Sequence, residues 1–316
     1  EEGEAARAAL AAEDLVDDGH EIVVADGALF IPVRDPGAVP PAYDVVEHDV
    51  PRREGQTMPA DLLGEAPSYE RLGDVAIVDE DDPDRAREVA AAIVDSDLPV
   101  ATVLNRASKV KGERRVRDWE VLAGDGTATV HREYGYEYAL DLATVYFSPR
   151  LATERHRVAE QVAAGEHVVD MFAGVGPYAV PMADRGAEVV AADVTDAAVR
   201  YLRENAERNG VADRLTAVHG DVREVAADYE GWADRLVMNL PHSADAFLET
   251  AVDLAGDECV LHYYDIQHED DPFGPGEAAI RAAGDAYDVG VETRRVVRSY
   301  APHELNVCLD ARLTRV

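Results

Sequence analysis

Val168-Val-Asp-Met-Phe-Ala-Gly-Val-Gly-Pro-Tyr178 decides the fold. An apolar run ends at Asp170, and Gly174-x-Gly176 follows as a tight turn that opens a helix. Such a turn leaves bare backbone N–H groups at a helix start, where a nucleoside-bearing cofactor can sit against a strand end. Just upstream lies Tyr146-Phe-Ser-Pro-Arg-Leu-Ala-Thr-Glu-Arg155, which puts Arg150, Glu154 and Arg155 just ahead of that strand.

Downstream of about residue 151, helical and strand patterns alternate. Strands are expected at 168–171, 188–192, 215–218, 235–238 and 259–264, with helices at 153–164, 178–185, 197–209, 245–254 and 277–283. Alternation of this kind predicts a parallel, doubly wound α/β sheet. Two closing strands, 293–299 and 306–313, predict an antiparallel edge. Upstream, residues 1–53 read as a small α+β domain with a hairpin around Asp26-Gly27. Residues 54–72 read as a linker, 73–145 as a second α+β domain that supports RNA binding, and 146–316 as the domain that holds the cofactor. In the second domain Asp82 and Pro83 suit the cap and first position of a helix. The chain opens at Glu1 without methionine, so a truncated start is expected.

The chain has 316 residues and a net charge of −34, with acids spread throughout. Its only lysines are Lys109 and Lys111. This acidic, lysine-poor composition predicts a protein from a salt-accumulating halophile, where self-repulsion is screened to a Debye length of ~3 Å in molar salt. No run of 18 apolar residues predicts a membrane span. Cys259 and Cys308 sit in apolar runs and read as buried thiols. Metal-site spacings such as C-x-x-C are absent from the sequence, so no metal is expected.

Gly174, Gly176 and Ala179 fit G-x-G-x-x-A, a pattern shared with nicotinamide and flavin sites. Three acids tilt the reading toward S-adenosylmethionine. Asp170 ends the first strand, Asp193 ends the second where a ribose diol needs an acceptor, and Asp221 follows the third near the place of an adenine amino group. All three fall at strand C-termini, where open α/β sheets bind ligands. Asn239-Leu240-Pro241 follows the fourth strand and can hold a planar base. Arg106, Lys109, Lys111, Arg114, Arg115 and Arg117 form a basic island that suggests a polyanion contact. His262 and the Ser299-Tyr300-Ala301-Pro302 segment either pack or reach the rim of the site.

Taken in order, Val110-Lys-Gly-Glu, Tyr146-Phe-Ser-Pro-Arg-Leu-x-x-Glu-Arg, Asp170-Met-Phe-Ala-Gly-Val-Gly-Pro, Asn239-Leu-Pro, His262-Tyr-Tyr and Ser299-Tyr-Ala-Pro resemble the archaeal and eukaryotic tRNA (guanine-N1)-methyltransferases that modify guanosine 37. The resemblance runs from about Val100 to the C-terminus. It implies a class I, Rossmann-like methyltransferase sheet, S-adenosylmethionine as cofactor, tRNA carrying G37 as substrate, and a cytoplasmic monomer. It also places the general base on Glu154, the arginine near guanine O6 on Arg115 and the base-holding turn on Asn239 and Pro241. The cofactor shell it implies comprises Tyr146, Arg150, Asp170, Phe172, Gly174, Gly176, Pro177, Asp193, Asp221 and Asn239. Arg114 stands where the family commonly has an apolar residue, so Arg114 and Arg115 are alternatives for one role. Two further readings remain: a wyosine-pathway tRNA aminocarboxypropyltransferase using the same cofactor, and a non-catalytic RNA-binding protein. The wyosine-pathway cousins tend to carry Phe-Ser-x-Gly-Asn where this chain has Phe-Ser-Pro-Arg.

Overall fold

A computed structural model describes residues 2–25, 27–52, 55–107 and 118–316. Lys109, Lys111, Arg114, Arg115 and Arg117 of the basic island therefore lie outside the described residues, as does Asp26 of the first hairpin.

The N-terminal unit holds α1 (Glu2–Ala12) and the antiparallel pair β1 (Val23–Ala25) and β2 (Ala28–Phe30) around a small core of Leu10, Leu15 and Val16. The second unit contains α2 (Pro59–Leu63), β3 (Glu70–Leu72), β4 (Val75–Val78), α3 (Pro83–Val94), β5 (Thr102–Arg106) and β6 (Trp119–Ala123). Its sheet runs β3-β4-β5-β6, with α3 as the crossover between the parallel strands β4 and β5. The Asp82 carboxylate accepts the Asp84 N–H at 2.9 Å and Pro83 occupies the first turn, as their types predict. The stretch expected as a linker is partly ordered structure. It carries α2, and β3 pairs antiparallel with β4. Its polar composition hid this, because β3 is a short edge strand needing only Leu72 in the core.

β7 (Ala128–Glu133) and β8 (Tyr136–Asp141) form a separate hairpin, turning at Tyr134-Gly135. The last domain follows as α4 (Ala152–Ala159), β9 (His167–Asp170), α5 (Ala179–Asp184), β10 (Glu188–Asp193), α6 (Asp196–Arg208), β11 (Leu215–His219), α7 (Val222–Val225), β12 (Ala233–Met238), α8 (Leu248–Leu254), β13 (Ala255–His268), α9 (Gly274–Ala283), β14 (Tyr287–Ala301) and β15 (Glu304–Arg315).

These strands form one sheet in the order β11-β10-β9-β12-β13-β15-β14. The first five run parallel, and β15 and β14 are antiparallel to their neighbours. Central strands are covered on both faces, which is why β9 and β10 read as continuous Val and Ala runs rather than alternating. One face packs Val168, Val189, Met182 and Leu202 among others; the opposite face packs Val169, Leu236, Leu248 and Leu261. The strand order reverses direction between β9 and β12, and the crevice at that point is where such sheets bind ligands.

Helix α6 also joins the β7–β8 hairpin to this domain. Asn205, fully buried, accepts the Ala139 N–H at 2.7 Å and donates to the carbonyls of Ala139 and Val175. One turn on, Asn209 accepts the Glu137 N–H at 2.9 Å and donates back to its carbonyl at 2.7 Å. Two amides thus satisfy the free edge of β8, a buried demand that backbone groups cannot leave unmet.

Candidate active site

A cavity of about 460 Å³ opens at the β9/β12 switch point. Its floor is the turn after β9. Gly174 has φ 55° and Gly176 φ 91°, a backbone that side chains adopt at a cost. A Cβ on Gly176 would lie 2.5 Å from Leu202 Cδ1, so glycine there is what lets α6 approach. A Cβ on Gly174 would meet nothing within 4 Å, and Gly174 lines the cavity, so its φ of 55° rather than packing calls for glycine there, and its open face is left to the cavity.

Three acids surround this turn in different ways. Asp193 lines the cavity and accepts the Gly174 N–H at 2.9 Å and the Thr195 N–H at 2.8 Å, one on each oxygen. Asp221 also lines it, caps α7 and is forked by Arg223; those bonds hold its carboxyl below the usual range. Asp170 lies one layer behind. It is fully buried and absent from the lining, and only its Oδ1 has a partner, the Phe172 N–H at 3.4 Å. Burial, with Asp193 nearby, pushes its carboxyl up to about 7.

Between Asp193 and the turn after β12 stands an aromatic wall, in which the expected Phe172 is joined by Phe247, a residue the sequence did not reveal. Phe172 meets Phe247 edge-on at 5.0 Å, and the Arg223 guanidinium lies 4.8 Å from the Phe247 ring. Such a wall suits a planar base. The expected Asn239 and Pro241 line the next part of the cavity, and the Ile266 N–H donates to the Pro241 carbonyl at 3.2 Å, fixing the turn.

Tyr146, Phe147, Ser148 and Leu151 form the facing wall. Arg155 holds it in place. Its guanidinium forks Glu133, donates to the Ser148 carbonyl at 3.0 Å and lies 4.9 Å from the Phe147 ring. Burial works against the Glu133 charge, yet Arg155 keeps that carboxyl below its usual range. Tyr300 reaches the rim, meeting His242 edge-on at 5.1 Å. Beside it, Arg298 and the buried Asn306 are cross-strand partners that line the cavity with Arg298 Nε and Asn306 Oδ1 unpaired. Neither stood out in sequence, since only the β14–β15 register brings them together.

Other expected residues sit elsewhere. Arg150 is absent from the lining, and its guanidinium reaches Glu70 Oε1 at 3.2 Å. Arg106 pairs with Glu70 and Asp79, both at 2.8 Å, and so joins β5 to its own unit. Glu154 is buried behind the wall. It accepts from Arg157 Nε at 3.0 Å, Arg157 Nη2 at 2.7 Å and the Tyr264 hydroxyl at 2.9 Å, with Arg295 Nε 2.9 Å from Oε2. Arg157 passes the network on to Asp310 at 2.6 Å. His262 Nδ1 lies 2.7 Å from Asp310, and Arg235 Nη1 lies 2.8 Å from His262 Nε2. Arg235 in turn pairs with Glu166 at 2.8 Å. His262, Cys308 and Asp310 bring potential ligand atoms within 4.8 Å of one another. Arg157 and Arg235 contact that same group, so its charge is already balanced by guanidinium. Both cysteines are buried and free, as expected.

A seven-stranded sheet with one antiparallel hairpin edge, carrying a glycine turn and strand-end acids around a switch-point cavity, defines a Rossmann-like methyltransferase. Comparison with known proteins agrees in detail. Residues 129–286 match the TRM5/TYW2 methyltransferase domain, and residues 55–127 match the TYW2 N-terminal domain. The chain belongs to the TRM5/TYW2 methyltransferase family. It is 38% identical to the tRNA (guanine(37)-N(1))-methyltransferase Trm5b of Pyrococcus abyssi, over 99% of this chain and 97% of that protein. The complex structure of aTrm5 and tRNALeu shares 30% identity over 99% of this chain and 97% of that one, with a TM-score of 0.73. Methanocaldococcus jannaschii TYW2 in complex with AdoMet shares 26% identity over 79% of this chain and 100% of that one, with a TM-score of 0.64.

Proposed function

We propose that the chain transfers a methyl group from S-adenosylmethionine to N1 of guanosine 37 in tRNA. The observation that carries this is the single cavity in which the Gly174 turn, Asp193 and Asp221 face Tyr146, Asn239 and Pro241, in a chain similar over nearly its full length to Trm5b.

The residues present fit the cofactor. Gly174 leaves an open cradle, and each Asp193 oxygen has one backbone donor, which leaves lone pairs for a ribose diol. Phe172 and Phe247 would flank the adenine, and Asp221 would take its amino group. When bound, the cofactor's sulfonium supplies the electrophilic methyl group. The remaining work falls to the protein. Guanine N1 is a poor nucleophile while it carries its proton. Asn239 and Pro241 would hold the base in the plane needed, and Glu154 would take the N1 proton as a general base. Charge that develops on O6 would be met by Arg115, or by Arg114 in its place. Lys109, Lys111 and Arg117, with Arg106, would contact the RNA backbone.

General-base removal typically contributes 10²–10⁴-fold, so Glu154→Gln should lower the single-turnover rate by about that factor at saturating tRNA. A near-wild-type rate would remove Glu154 from this role. The match to a TYW2 N-terminal domain supports a second reading, transfer of an aminocarboxypropyl group to tRNA. The mass of the modified nucleoside separates the two. Among the described residues no helix is long and apolar enough to cross a membrane. We further read the chain as a cytoplasmic monomer of a salt-accumulating organism. That reading expects tRNA affinity to hold or improve as KCl rises, and a steep loss would count against it.

A further inference from the structure

In the arrangement described above every lone-pair direction of Glu154 is occupied. A carboxylate offers about four lone-pair directions. Arg157 and Tyr264 donate three hydrogen bonds to Glu154, and the Arg295 guanidinium closes on Oε2 at 2.9 Å. The four contacts differ in what holds them. Tyr264 is buried to 1% exposure. Arg157 is fixed from behind by Asp310, Asp310 by His262, and His262 by Arg235. Arg295 projects from β14, the edge strand of the sheet, and its side chain is 42% exposed. The β14 ladder is irregular on both sides of it, between Val291 and Thr293 and between Val296 and Arg298.

Register places this contact just below the cavity. Arg295, Cys308 and Tyr264 form one row across β14, β15 and β13, while Arg298 and Asn306 form the row that lines the cavity. Cys308 and Asn306 are two residues apart on β15, a rise of about 7 Å. Glu154 is thus stowed about one pleat repeat beneath the wall, with Arg295 as its outer clasp.

We infer that Arg295 is a substrate-operated clasp. An RNA phosphate draws the Arg295 guanidinium off Glu154, and the Oε2 lone pair it vacates becomes the proton acceptor, while Arg157 Nε keeps the other. This deepens the reading of Glu154 as general base and rests on it. A guanidinium exchanges one oxyanion for another with little loss, because phosphate and carboxylate both match its fork. The buried Arg157 fork stays, so the carboxylate is released on one side only. The inhibitory contact and the RNA contact are then the same side chain, and proton removal is coupled to substrate arrival.

The test is Arg295→Gln, measured for tRNA affinity by filter binding and for single-turnover methyl transfer at saturating G37 transcript. Affinity should weaken about 3- to 10-fold through loss of one exposed charge. The saturating rate should equal or exceed that of the native protein, because the clasp is gone. Arg295→Lys should keep near-native affinity and rate, since a cation remains to make the exchange. Retained S-adenosylmethionine binding by calorimetry shows that each variant is folded. A saturating rate that falls as far as in Glu154→Gln would overturn the inference, as would unchanged tRNA affinity in Arg295→Gln. If Glu154→Gln itself keeps full rate, the general-base reading has failed, whatever Arg295 does.

Discussion

Replacing Asp310 with Asn probes the buried network behind Glu154. Glu154, Asp310 and Glu166 face Arg157, Arg295 and Arg235, so acids and guanidiniums balance along the chain of contacts. His262 is the neutral link, since burial holds its imidazole below its ordinary range. Asp310 is 2% exposed and accepts from Arg157 at 2.6 and 3.1 Å, besides its 2.7 Å contact with His262. Removing one member of a buried pair typically costs 3–5 kcal/mol, because the other charge stays buried and unpaired. Arg157 retains 20% side-chain exposure and keeps Glu154, so the lower end, about 3 kcal/mol, applies. With a urea m-value of about 3 kcal/mol/M, the unfolding midpoint should fall by about 1 M at neutral pH. The pH dependence follows in sign. Burial opposes the Asp310 charge, but the bonds from His262 and Arg157 win and hold its carboxyl far below the ordinary 3.8. Its stabilisation is therefore complete above 3.8 and is lost as the pH falls through the folded value. The gap between Asp310→Asn and the native chain should be full at pH 7 and narrow in strong acid. A midpoint shift under about 0.2 M at pH 7 would refute the claim that this network is a balanced buried unit.

Other expectations concern the turn and its acids. Gly176→Ala forces a Cβ to 2.5 Å from Leu202 at φ 91°, so it should lower the urea midpoint and weaken cofactor binding together. Gly174→Ala meets no protein atom within 4 Å and should weaken calorimetric cofactor binding by about 10-fold or more, with a far smaller stability loss. Equal stability losses in the two variants would contradict this division. Asp170 is raised to about 7 by burial, so the native fold loses stability as pH rises from 3.8 toward 7. Asp170→Asn should therefore gain urea resistance relative to the native chain at pH 8 and lose that advantage near pH 4. No gain at pH 8 would show that Asp170 is not held in an unfavourable charge state.

Much of the last domain was legible because parallel strands buried on both faces write themselves as Val and Ala runs ending in acids. The strands at Val168, Glu188 and Leu215 fall within one or two residues of expectation. The outer strands were read too short. β13 and β14 run to 14 and 15 residues, and β14 exposes Glu292, Arg294 and Arg295, so its apolar pattern is broken by charge. The glycine turn, Asp193, Asp221, Asn239 and Pro241 come together in the cavity as their strand-end positions implied. The Arg106 and Arg150 contacts with Glu70 depend on a second unit whose edge strand was taken for linker. Asp310 was hidden by composition: among 64 acids, nothing in sequence marks the few that are buried.

The central claim is N1 methylation of guanosine 37. Single-turnover methyl transfer to a tRNA transcript carrying G37, beside the same transcript carrying A37, tests it most directly. The account predicts 1-methylguanosine from the G37 transcript and no product from A37. Equal transfer to both transcripts, or a product heavier than a single methyl group, would contradict it.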